Sequence, residues 1–60
     1  MINDYQIIDF LEKKIKETRG EKQKEWVRKY DIFTSRNFFK EHNLLNELTE
    51  VEKIRSEFNE

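Results

Sequence analysis

The chain has no cysteine, no proline and no alanine, and a single glycine, Gly20. Without cysteine there are no disulfides and no thiolate metal sites. With one histidine, His42, a dedicated metal site would have to be built mostly from carboxylates. One glycine cannot make a glycine-rich phosphate loop. Long apolar runs are missing too. The pairs Ile7-Ile8, Ile32-Phe33, Phe38-Phe39 and Leu44-Leu45 mark the limit, whereas a membrane-spanning helix needs about 20 apolar residues in a row. The first residues carry acid rather than base and lack the apolar stretch of a signal peptide. The expected compartment is therefore the cytoplasm, with no membrane partner.

Sixty residues make one domain, here taken as 1–60. A chain this short buries only about 60% of the surface its unfolded form exposes. Natural domains of that size usually add disulfides, a metal or a partner chain. What remains is a tightly packed helical core or help from another chain, and self-association is expected. The apolar fraction is 35% and the charged fraction 42%, values between globular and disordered chains. The aromatics decide the matter: Phe10, Trp26, Tyr30, Phe33, Phe38, Phe39 and Phe58 are too many for a solvated tail.

Net charge is −1, but its distribution is uneven. Residues 1–12 carry Asp4, Asp9 and Glu12 and no base. Residues 13–29 carry eight bases (Lys13, Lys14, Lys16, Arg19, Lys22, Lys24, Arg28, Lys29) against three acids. Residues 41–60 carry six acids against Lys53 and Arg55. Such a pattern suits acidic and basic helices lying side by side. It also suits an electrostatic footprint for an acidic partner.

Helical periodicity runs through the chain. Asn3 or Asp4 can cap a first helix, since a short side-chain oxygen accepts from the free N–H groups of the first turn. Ile7, Ile8, Leu11 and Ile15 then fall within an arc of about 100°, with Tyr5 and Phe10 on either flank. Gly20 ends this pattern as a C′ residue would. Yet no capping residue follows it, Glu21 to Glu25 forms helix well, and Trp26 stays in phase with Ile15. A hairpin bend and one long helix are both consistent with the sequence. Trp26, Val27, Tyr30 and Phe33 share the next face. Thr34 reads as the cap of a short helix over 35–42, with Phe33 stapled on Phe38. Asn43, which tolerates a left-handed backbone, ends it. Leu44, Leu48, Val51, Ile54 and Phe58 mark the last helix; Thr49 to Glu52 reads as a capping box that would start it near 49, and an extension back to Leu44 stays open. No segment alternates as a half-buried strand does. The expected fold class is all-α, with three or four helices and no sheet.

Catalytic chemistry finds little footing. A nucleophile needs a base beside it and a third group to hold that base, but Thr34, Ser35 and Thr49 have cap roles and His42 suits a helix end. Glu47 and Glu50, or Glu50 and Glu57, form carboxylate pairs, but a chain this small offers no deep, dry pocket. The expectation is a protein that is not an enzyme and takes no cofactor or metal.

Binding is the remaining class. If residues 22–40 are one helix, Ile32 and Phe39 lie seven apart on the face opposite Trp26, Tyr30 and Phe33, with Arg28 and Arg36 beside them. Aromatics and arginine are enriched at protein-binding hot spots. The candidate protein contacts are thus Phe10, Arg28, Ile32, Arg36 and Phe39. If the chain bends at Thr34, Phe39 turns inward instead. Arg55 falls within the last helix's apolar arc, where it either lays its stem over the core or meets a partner. The alternative is a helix-turn-helix-like nucleic-acid binder using Arg36, Asn37 and Lys40, although no glycine marks the turn and the chain is not basic. A structural assembly subunit is a third reading.

The lack of alanine and proline, with abundant Lys, Ile and Asn, suggests an AT-rich genome. In general style the chain resembles the small host-takeover, antirepressor, antitoxin or anti-defence proteins of phages and mobile elements. That resemblance implies a module which regulates or inhibits a larger protein by docking on it.

Overall fold

A computed structural model describes residues 2–58. Among them are four helices and no strand: α1 (Asp4–Glu17), α2 (Gly20–Thr34), α3 (Arg36–Glu41) and α4 (Leu45–Phe58). No helix is long and apolar enough to cross a membrane.

Asn3 starts α1 with a reciprocal capping box. Its Oδ1 accepts from the Gln6 backbone N–H, and the Gln6 side-chain oxygen accepts from the Asn3 N–H, each at 2.9 Å. At the other end, three carbonyls that have no partner within the helix are met by side chains. The Thr18 hydroxyl donates to Lys14 O at 2.6 Å, Gln23 Nε2 to Ile15 O at 2.9 Å and Arg19 Nη1 to Lys16 O at 3.2 Å. Thr18 and Arg19 are extended and Gly20 has φ +65°. The chain therefore reverses here and the single-long-helix reading is corrected. Gly20 is not the residue directly after the helix cap; it opens α2 two residues beyond the cap, Thr18.

The α2–α3 junction is one residue, Ser35, at φ −92° and ψ 9°. Thr34 is not the cap of α3. Its hydroxyl instead donates back to Tyr30 O at 2.8 Å, which keeps it in α2. The expected staple does not form either: Phe33 is fully buried while Phe38 is 54% exposed. Asn43 does take the left-handed conformation, φ 54°. Around it the Leu44 N–H donates to Phe39 O at 2.9 Å and the Asn43 N–H to Lys40 O at 3.4 Å, the paired bonds of a Schellman ending. The α4 helix grows straight out of this turn, so it begins one turn before the expected capping box. Thr49 lies inside it and donates to Leu45 O at 2.9 Å.

The core consists of Ile7 and Leu11 from α1, Phe33 from α2, and Val51 and Ile54 from α4. Each contributes about 1.5–3 kcal/mol through burial. Ile8, Trp26, Tyr30, Ile32, Phe39 and Phe58 pack around them, half-buried. The molecule measures 33 × 26 × 16 Å. Its thin dimension is little more than one helix diameter of about 10–12 Å, which explains why so few side chains are fully enclosed.

Candidate functional site

The break at Ser35 decides where the expected contact residues lie. The proposed face needed an unbroken helix over 22–40, and α2 stops at Thr34. The five residues consequently fall in three places.

Phe10 belongs to an aromatic cluster joining α1, α2 and α4. Its ring meets Trp26 edge-on at 6.0 Å and Phe58 at 5.0 Å. Lys14 Nζ lies 5.5 Å from the Phe10 ring centre and Lys29 Nζ 4.9 Å from that of Trp26. These ammonium groups shield the partly exposed rings and add cation–π attraction.

Arg36 and Phe39 face the fold rather than solvent. Phe39 packs against the core. Arg36 Nε donates to Asp4 Oδ2 at 2.9 Å and its Nη1 to Phe33 O at 3.1 Å. Arg55 reaches the same carboxylate, Nε to Oδ1 at 3.3 Å and Nη2 to Oδ2 at 3.2 Å, and also pairs with Glu52. Both guanidinium groups lie over the Phe33 ring, at 5.0 and 5.6 Å from its centre. One carboxylate from the start of α1 thus clamps an arginine from α3 to an arginine from α4. Burial pushes the Asp4 carboxyl up, but the hydrogen bonds and charges of Arg55 and Arg36 outweigh it, so Asp4 titrates below its ordinary value. The Arg55 head therefore serves as an internal bridge rather than as a free tip in water.

Arg28 and Ile32 stay together on α2, Arg28 exposed and Ile32 half-buried against the core. Two open grooves meet at this pair. One runs along α2 past Val27 and Asp31, and the other lies between α2 and α4 with Ile54 on its floor. Val27 is 38% exposed beside them. The rim of the second groove mixes Glu25, Lys29, Glu50 and Lys53.

The chain matches no known protein family, no curated protein and no solved structure.

The residues of the nucleic-acid alternative do come together. Arg36, Asn37 and Lys40 line one cleft with Arg55, Asp4 and Glu52. Arg36 is engaged there by Asp4, and α4 contributes one acid, Glu52, and one base, Arg55. His42 follows α3 directly and stacks on Phe38 at 4.3 Å. Tyr30 on α2 donates to Glu12 on α1 at 3.2 Å, and that bond to a carboxylate raises the phenol's pKa. The sequence reading missed the Asp4 clamp and the Gln23 cap. The only local hint was an acid in the first turn of α1; its partners lie 32 and 51 residues away.

Proposed function

We propose that this protein is a small, non-enzymatic, cytoplasmic binding module that docks on a larger protein and regulates or inhibits it by occlusion. The contact surface centres on Arg28 and Ile32 and extends to Val27. The observation that supports this reading is the meeting of two open grooves at that pair. An aliphatic side chain, an exposed valine and an arginine with a mixed-charge rim form the kind of centre at which few residues dominate affinity. Host-takeover or anti-defence roles, encoded by a phage or mobile element, suit a module of this size. Affinity capture from the native host tests the proposal. Wild-type protein should retain a partner that Arg28→Glu and Val27→Asp lose, with melting temperatures unchanged. An unchanged set of captured proteins in both variants would exclude this face.

The nucleic-acid reading keeps one supporting observation, the shared cleft of Arg36, Asn37 and Lys40. It carries less weight because the net charge is −1. Weak, salt-sensitive binding by the basic stretch 13–29 is the expected result. A sequence-selective nanomolar complex at physiological salt, lost in Lys40→Ala, would reverse this order. Assembly into a larger structural particle remains the third reading.

A further inference from the structure

We propose that the cleft between α3 and α4 binds a single oxyanion, the phosphate or carboxylate group of a small ligand. The site is independent of the Arg28 docking surface. Three cations line it, Arg36, Lys40 and Arg55, against two acids, Asp4 and Glu52, which leaves a net charge of 3 − 2 = +1. The cleft is about 470 Å³ in volume, and the apolar Leu48 and Val51 form part of its wall.

Its arginines are held before any ligand arrives. Arg36 is fixed by Asp4 and by Phe33 O, Arg55 by two bonds to Asp4, and both lie over the Phe33 ring. A planar guanidinium already ordered in this way loses little rotamer freedom when an oxyanion docks. Donor capacity remains. Among the described residues Lys40 has no ion-pair partner, and Arg36 Nη2 makes no hydrogen bond. Asn37 adds an exposed amide beside them. The groove along α2 has the same net charge, Lys24 and Arg28 against Asp31, but all its lining residues come from one helix, so no second element fixes its cations. The α2–α4 groove carries Glu25, Glu50 and Glu57 against Arg28, Lys29 and Lys53 and has no net charge.

The test is a titration of 15N-labelled protein followed by NMR, including the arginine Nε–H signals. Sodium phosphate and sodium acetate are added in separate arms, each against sodium chloride at matched ionic strength. Saturable shifts should appear at Arg36, Asn37, Lys40 and Arg55 in the phosphate or acetate arm and not with chloride. The arm that saturates at the lower concentration assigns the source. Lys40→Gln should weaken binding about three- to fivefold and Glu52→Gln should strengthen it by a similar factor, the size of one exposed charge contact. Both side chains are exposed, so the melting temperature should hold in each variant. The proposal is overturned if no arm saturates or if chloride reproduces the shifts. It is equally overturned if the shifts spread along the basic stretch 13–29, or if neither substitution changes affinity.

Discussion

Asp4 ties three helices together through one side chain, joining α1 to Arg36 of α3 and Arg55 of α4. Among the described residues it is the one carboxylate that touches two arginines from different helices, and its own side chain is only 33% exposed. Asp4→Asn leaves Arg36 half-buried without its counter-charge and Arg55 with Glu52 alone. The expected cost is about 1–2 kcal/mol, below the value for a fully buried pair because water still reaches the site. The pH dependence has a definite sign. The folded carboxyl titrates below the unfolded one, so the unfolded chain takes up protons first as pH falls. The contribution is complete at neutral pH and lost as pH drops through the ordinary carboxylate range and the depressed folded value. Urea midpoints at neutral pH should differ between wild type and Asp4→Asn, and the gap should close in acid. A gap unchanged at low pH would mean the clamp contributes nothing through its charge. Apolar residues divide in the same way. Phe33→Ala should cost about 3–5 kcal/mol and largely unfold the chain. Trp26 is half-buried beside Phe10, so Trp26→Ala should cost less, about 2 kcal/mol, scaled from the same range.

At the scale of the helix, Gly20 and Thr49 separate what local chemistry decides from what it does not. Gly20 has a positive φ and open space where a Cβ would stand. Gly20→Ala should therefore cost only the left-handed backbone term, about 1–2 kcal/mol, and Gly20→Asn less. A larger loss in thermal unfolding would point to a clash that this geometry lacks. Thr49 sits mid-helix, so Thr49→Ala should be neutral or stabilising by a few tenths of a kcal/mol, because alanine is the better helix former. A loss near 1 kcal/mol, the usual value of a cap, would restore the capping box. Much of the helical pattern was legible. Ile7 and Leu11 on α1, Val51 and Ile54 on α4, and the left-handed Asn43 all followed from spacing and residue type. The errors share a cause. Thr34 and Thr49 have hydroxyls that serve equally as caps or as back-bonds to the carbonyl four residues earlier, and only neighbouring turns decide between them. The Asp4 clamp depends on contacts across the chain, which periodicity does not encode, whereas the inward turn of Phe39 is the alternative that a bend at Thr34 implied. Of the five expected contact residues, Arg28 and Ile32 remain together because both lie on one helix.

The whole molecule is thin, with five buried apolar residues among those described. Tyr5 and Leu45 are 76% and 72% exposed, and Phe38 54%. A domain of this size sits near the low end of the usual stability range, about 5 kcal/mol. Further apolar burial would add to that, so a dimer or higher assembly is expected for the isolated protein. Sedimentation equilibrium that shows only monomer at high concentration, with cooperative melting, would contradict it. The docking proposal belongs to this scale as well, because it divides the surface into one part that holds the fold and another free for a partner. The most direct test compares Arg28→Ala with Phe39→Ala, measuring melting temperature and affinity for the captured partner on the same samples. Arg28→Ala should melt like wild type and lose about 2 kcal/mol or more of binding. Phe39→Ala should lower the melting temperature. If Phe39→Ala melts like wild type and abolishes binding while Arg28→Ala binds normally, the contact surface lies on α3 and this account is wrong.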